Sequence, residues 1–558
     1  MAIVIKIRKR DLTKIGLRGG RETSTLRPKY TPKTPPCTFT CPSGIDIRGY
    51  LTTISQSEGY KRNYAQSFEM GWYILVDKNP FPAVCGRVCP HPCEKECNRK
   101  ELTRQEKDEA VSINNMERFI GDYGIKNNLA HKRLYPDIYP EKVAVIGSGP
   151  SGLSCAYQLA RRGYRVTIFE TYEKSGGMLR YGIPRYRLSE DILDAEINKI
   201  LALGVEIKYN TRVGNIEQLQ KEYNAIYVAI GAHQGLGLNI PGEDVVNVFT
   251  GADYLNKINS GQQVELGNKV LVIGGGNSAI DAARVARRQG ADVTILYRRT
   301  KVEMPAIAHE VNQAEEEGIH LELLVAPVEV LRKGNKAVGL KCIRMELGEP
   351  DESGRRKPIP IAGSEFTVDA TAIIAAISQS PVWTGLEELK NEKGWITVDE
   401  RGQTGLKGVF AGGDVTNQLG LATEAIGLGR KAAETMDNYL RERELAKIIA
   451  PTVIRQTNMN LNYYDILPRT QTSYLAPAER VNNFNEVAFT IDESAAITET
   501  KRCLSCGLCF DCDNCYTFCS DSAVKKQPKG QHYEFNLALC QGCKKCAEEC
   551  PCGYIDML

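Results

Sequence analysis

The chain has 558 residues, too many for a single core, so three or four domains are expected. Its 71 basic and 68 acidic side chains leave a formal charge of +3, which excludes a strong field drawing it to nucleic acid or a membrane surface. Nothing nears the roughly 18 consecutive apolar residues of a spanning helix, and residues 1–16 hold no apolar run of signal-peptide length.

Cysteine is distributed unevenly. Of 19 cysteines, six lie between Cys37 and Cys97, eleven between Cys503 and Cys552, and only Cys155 and Cys342 elsewhere. Disulfide scaffolds are short and exported. Clustered cysteines in a long chain without an export signal read as metal ligands in a reducing cytoplasm.

Residues 1–135 are polar and helix-like, with proline-rich breaks. They supply Cys37 and Cys41 in PPCTFTCPSG, then Cys85, Cys89, Cys93 and Cys97 in VCGRVCPHPCEKEC. Thiolates at such short steps can converge on a soft metal centre, and no histidine pair suggests zinc. His91, between two prolines, reads as a turn residue and not as a ligand.

Residues 136–445 alternate β-type apolar runs with helical patterns, the signature of layered α/β structure. In VAVIGSGPSGLSCAYQLARRGYRVTIFE a strand leads into Gly147, Gly149 and Gly152, then a helix and a second strand ending at Glu170. The glycines permit a tight turn, close approach to a pyrophosphate and close helix–strand packing; the acid, 23 residues after Gly147, is placed to accept from a ribose diol. A second unit, VLVIGGGNSAIDAARVARRQGADVTILYRR, repeats the pattern with Gly274, Gly276, Asn277 and Ala279. Here the strand ends on Tyr297, Arg298 and Arg299, with no acid. Two such units imply two dinucleotides. The arginines offer donors to a 2′-phosphate, so the second ligand is expected to be NADP in preference to NAD. Downstream, Gly413 and Asp414 precede another helix, suited to placing a carboxylate on the ribityl chain of a flavin.

Residues 446–500 are irregular and read as a linker. Residues 501–558 hold Cys509, Cys512, Cys515 and Cys519, then Cys540, Cys543, Cys546 and Cys550, both at the C-x2-C-x2-C-x3-C spacing of two-cluster ferredoxins. In that pattern the fourth cysteine crosses over. One cluster therefore takes Cys509, Cys512, Cys515 and Cys550, and the other Cys540, Cys543, Cys546 and Cys519. Cys552 is left spare.

These motifs, with GGMLRYGIPRYRL at 176–188 and YRRTKVEMPA at 297–306, resemble the small subunit of glutamate synthase and its relatives over about residues 35–440. The resemblance implies FAD on the first unit, with Gly177, Arg185, Gly413, Asp414 and Thr423 also at the flavin, and NAD(P)H on the second. It implies a [4Fe–4S] cluster on Cys41, Cys89, Cys93 and Glu117. It also implies a second N-terminal cluster, for which this chain offers only Cys37 and Cys97. Cys503 and Cys506, in AAITETKRCLSCG, look like the family's missing pair. Either they complete that site, within one chain or from a dimer mate, giving four clusters, or three clusters exist and they are idle or substitute within the tail.

The expected fold is a multidomain α/β chain. A helical iron–sulfur domain (1–135) precedes an FAD domain (136–265 and 376–445) into which a Rossmann-type nicotinamide domain (266–375) is inserted. A linker and a ferredoxin-like α+β domain (501–558) follow. The expected function is electron transfer between NAD(P)H and a partner through FAD and clusters, by a cytoplasmic subunit of a hetero-oligomer. The partner would be a ferredoxin or a larger subunit of the 2-oxoacid oxidoreductase or glutamate synthase type; a genuine glutamate synthase small subunit is the alternative. Hydride transfer belongs to the cofactors, so no catalytic side chain is expected. A disulfide reductase would need a redox cysteine pair beside the flavin, and Cys155 and Cys342 are single and far apart in sequence.

Overall fold

Two similar pentapeptides, KVAVI (Lys142–Ile146) and KVLVI (Lys269–Ile273), are buried from the second residue onward. Such unbroken apolar runs suit parallel strands covered on both faces. In the computed structural model, which describes residues 23–558 apart from 104–105, 353 and 417–419, each becomes the middle strand of a five-stranded sheet. The stretch read above for an export signal lies outside the described residues.

The first sheet runs Val409–Ala411, Ala225–Val228, Lys142–Ile146, Arg165–Phe169, Glu206–Lys208, parallel throughout. The second runs His320–Leu323, Asp292–Tyr297, Lys269–Ile273, Ala372–Ala375, Val248–Thr250, again parallel. All five strands of the second sheet fall between Ala225–Val228 and Val409–Ala411 in the chain, so one parallel sheet is inserted in the other. The insert begins earlier than the boundary expected at 266, because Val248–Thr250 forms the far edge of its sheet. Val325–Lys333 and Lys336–Pro350 add an antiparallel sheet to it with Arg356–Pro360 and Phe366–Asp369.

The chain divides into two compact units. The parallel sheets form one, Lys132–Glu444 joined by Ser473–Phe489. The other joins the residues up to His131 with Leu445–Thr472 and Thr490–Leu558. Residues 446–500 are thus shared between the units and do not form a plain linker. The physical reason is visible in the helix Glu493–Thr500, which buries Ala496 in the same core as Ile54, Trp72, Leu75, Met116 and Ile120. Those residues come from helices Ile47–Ser55, Tyr64–Val76 and Ile113–Lys126.

The tail has little apolar core of its own; Val524, Tyr533 and Ile555 pack around Cys515, Cys546, Cys550 and Cys552. Two small antiparallel pairs frame it: Val524–Lys526 with Tyr533–Phe535, and Ile555–Met557 with Pro28–Tyr30. The second pair draws residues from the start of the chain into the tail. Among the described residues no helix is long and apolar enough to cross a membrane.

Candidate cofactor sites

The strand Lys142–Ile146 delivers Gly147 at φ +101°, where a Cβ would lie 2.4 Å from the Ala229 carbonyl oxygen. Only glycine fits that turn. The helix Pro150–Arg161 follows, and its first turn packs so close that a Cβ on Gly152 would meet the Gly147 carbonyl at 2.0 Å. Gly149 differs. A Cβ there would meet nothing nearer than the Gly177 Cα at 3.9 Å, so the space before the helix N-terminus is open, as a pyrophosphate requires.

Glu170 is buried beside this turn. Its carboxylate accepts from the backbone N–H of Ser148 and of Tyr172, each at 2.8 Å, and from the Ser148 hydroxyl. Gly177, at φ +53°, lies against Gly149, and Gly176 donates to the Ser148 carbonyl. Gly413 comes within 2.9 Å of the Ser151 side chain if given a Cβ, which puts the Gly413–Asp414 turn against the same helix. Burial pushes the Asp414 carboxyl up to about 6, an environment that favours a donor from a ligand hydroxyl. Thr423 is buried in the first turn of Ala422–Leu440. Arg185 is half exposed and pairs with Glu190.

In the second unit Gly274 turns at φ +147° and Gly276 has nothing within 4 Å of a Cβ. Asn277 accepts from the Ile307 N–H at 2.9 Å, and Ala279 is fully buried. The two arginines separate. Arg298 is exposed. Arg299 is 4 % exposed, paired with Asp351 at 2.6 Å and donating to the Arg356 carbonyl; its guanidinium is already engaged. Cys155 sits in the helix Pro150–Arg161 and Cys342 on the antiparallel strand Lys336–Pro350, so they do not form a pair.

The remaining cysteines, apart from the buried Cys85, gather in four sets. Burial and the thiols of Cys97, Cys503 and Cys506 push the Cys37 thiol well above its usual pKa. Burial and the carboxylate of Glu117, with a smaller effect of Cys89, push Cys41 up to about 11, and burial, Cys41, Glu94, Cys37 and Cys89 push the Cys93 thiol well above its usual pKa. In the tail one cavity is lined by Cys509, Cys512, Cys515, Cys550 and Cys552, and another by Cys519, Cys540, Cys543 and Cys546. Thiols packed this closely repel as thiolates, and a cationic iron core relieves that repulsion. Soft donors in fours suit iron–sulfur centres. Cys552 is not remote: its sulfur lies 3.7 Å from that of Cys550.

Sequence reasoning missed three supports. Glu117 is held by the Asn79 amide at 3.0 Å and by His91 Nε2 at 3.2 Å, so His91, though read as a turn residue, orients that carboxylate. His91 adopts φ +49° between its prolines, and Asn114 fixes its other nitrogen at 2.8 Å. Next, Arg502, just before Cys503, pairs with Asp108 at 2.7 Å, and Arg99, just after Cys97, pairs with the same carboxylate at 2.6 Å. Arg502 also pairs with Glu499 at 2.7 Å. These groups are almost wholly buried, so they clamp the Cys503 segment to the N-terminal core. The only advance signal was the basic lead-in KRC. An Asp108→Ala variant leaves two buried guanidinium groups without their shared counter-ion and is expected to cost about 3–5 kcal/mol. A chemical-denaturation midpoint equal to wild type would show that the clamp is dispensable. The third support, Tyr50, is treated below.

Residues 141–429, over half the chain, match the family model described as pyridine nucleotide-disulphide oxidoreductase. The chain belongs to this family of FAD-dependent NAD(P)H oxidoreductases. Residues 30–129 match the model for dihydropyrimidine dehydrogenase domain II with a 4Fe-4S cluster. Within the family the chain groups with the glutamate synthase small chain and its NADPH-dependent relatives. It is 38% identical over 513 residues to the beta subunit of the NADP(+)-dependent formate dehydrogenase of Moorella thermoacetica, covering 85% of this chain and 70% of that one. It is 37% identical over 536 residues to the beta subunit of an NADPH-Fe(3+) oxidoreductase of Geobacter sulfurreducens, covering 88% and 77%. With the small chain of the NADPH glutamate synthase of Escherichia coli it shares 34% over 433 residues, 73% of this chain and 89% of that one. This family member is an electron-transfer flavoprotein that couples NAD(P)H to iron–sulfur centres.

Proposed function

We propose that the chain is the electron-entry subunit of a hetero-oligomer, moving electrons between NADP(H) and a partner oxidoreductase or ferredoxin through FAD and four [4Fe–4S] clusters. What supports this reading is the grouping of fifteen cysteines and Glu117 into four candidate sets of four, with Cys552 beside one of them, in a chain that also holds two open glycine loops. Flavin, when bound, supplies the conversion between hydride chemistry and single-electron chemistry.

The chain's own residues do the placing. The loop at Gly147–Gly152 and the carboxylates of Glu170 and Asp414 would hold FAD, with Gly177, Arg185 and Thr423 around it. Gly274, Gly276, Asn277 and Ala279 would hold the nicotinamide dinucleotide. Cys41, Cys89, Cys93 and Glu117 would form one cluster site, and Cys37, Cys97, Cys503 and Cys506 a second made from both ends of the chain. The tail sets would take the other two clusters. The beta-subunit relatives support a larger partner, and the tail beyond residue 500 argues for one other than the glutamate-forming subunit.

Preference for NADP(H) falls to Arg298, because Arg299 is engaged by Asp351. Steady-state assays are expected to give a higher kcat/KM for NADPH than for NADH, and a higher value for NADH would sink the assignment. In an Arg298→Ala variant the KM for NADPH should rise by about tenfold while that for NADH changes little, since one charge-assisted bond to the 2′-phosphate is lost.

A further inference from the structure

The helix Ile47–Ser55 carries two buried polar atoms without a hydrogen-bond partner among the described residues, Arg48 Nε and the Tyr50 hydroxyl, and Arg48 is otherwise engaged through its Nη1. Tyr50 is 1 % exposed, and its hydroxyl has no hydrogen-bond partner among the described residues. Leaving a buried hydroxyl unbonded is costly, and phenylalanine would fill the same space without that cost. The ring belongs to the core that contains Cys93 and has Cys37, Cys41, Cys97 and Cys503 packed against it. Beyond burial, the groups acting on the phenol are Glu117 and Cys93 from one ligand set, and Cys37 and Cys503 from the other. Tyr50 therefore stands at the junction of the two N-terminal sets with a free donor, amid groups that, once they ligate a cluster as thiolate and carboxylate, can only accept.

We propose that Tyr50 is a positioning residue shared by the two N-terminal cluster sites, its O–H donating to a sulfur or carboxylate ligand at their junction and raising the reduction potential there. The inference rests on the four-cluster reading. A donor directed at a cluster's ligands stabilises the extra negative charge of its reduced form, so removing it makes reduction harder.

The test is an EPR-monitored redox titration of the complete holoprotein. Wild-type iron is measured first: about sixteen per chain fits four clusters, whereas about twelve overturns the four-cluster reading on its own account. Tyr50→Phe is then expected to keep its iron and flavin, and to move one or both N-terminal cluster signals to lower potential while the tail signals stay in place. Replacement of Tyr50 by 3,5-difluorotyrosine, nearly the same shape but a stronger donor, is expected to move the same signals upward, and it decides the matter if the phenylalanine variant loses iron. Full iron with N-terminal potentials unmoved overturns the proposal. So does a shift of all cluster signals together, which would mark a general disturbance of the unit.

Discussion

A Gly149→Val variant is expected to purify with its iron intact and with flavin content reduced at least about tenfold, because the side chain occupies the pyrophosphate's place. The backbone tolerates the change: φ −71° and ψ 179° are open to any residue. The protein tolerates it too, since the first atom of the new side chain meets only the Gly177 Cα, at 3.9 Å. What the valine fills is the space ahead of the Pro150–Arg161 N-terminus, where the free N–H groups would meet phosphate oxygens. Gly152→Val makes the contrast. There the Cβ would sit 2.0 Å from the Gly147 carbonyl oxygen, so that variant should fail by misfolding, with loss of soluble protein. Flavin absorbance together with iron content separates the two outcomes. Normal flavin in Gly149→Val would show that FAD binds elsewhere.

A Cys503→Ala/Cys506→Ala variant is expected to lose about four of sixteen irons while flavin and the other clusters stay. The two cysteines face Cys97, and Cys37 faces all three. Removing half of that set leaves two thiolates, too few to hold a cubane. The neighbouring sets draw on other residues: Cys41, Cys89, Cys93 and Glu117 in one, and in the tail the cysteines that line its two cavities. Cys552 is the residue that could blur the result, since it lies near Cys506 and Cys550 at the buried Tyr464. Its sulfur is 3.7 Å from Cys550, on the tail side, so it does not restore a pair beside Cys37 and Cys97. Iron analysis with quantified EPR is the measurement. Retention of every iron would return Cys503 and Cys506 to an idle role.

What the amino-acid sequence determined by itself is whatever depends on short spacing. A strand, a glycine turn and a helix N-terminus span a dozen residues, so Gly147, Gly149 and Gly152, and again Gly274 and Gly276, could be placed by counting. The cysteines lining each tail cavity could be grouped the same way, with Cys519 and Cys550 exchanged, because each group is a local loop plus one returning helix end. Tertiary structure alone decided the rest. Arg298 and Arg299 are equivalent in sequence, and only an aspartate 52 positions later takes one and leaves the other exposed. Pro28–Tyr30 joins the tail because Ile555–Met557 needs a partner strand. Val248–Thr250 enters the inserted sheet because its edge needs closing. The return of Cys503 to the N-terminal core was suggested by a motif, yet what holds it there is Ala496 in that core and one aspartate between two buried arginines. Local pattern encodes φ, ψ and the face a side chain takes. Burial of a charge or a hydroxyl is a property of everything packed around it, and that is assembled from distant parts of the chain.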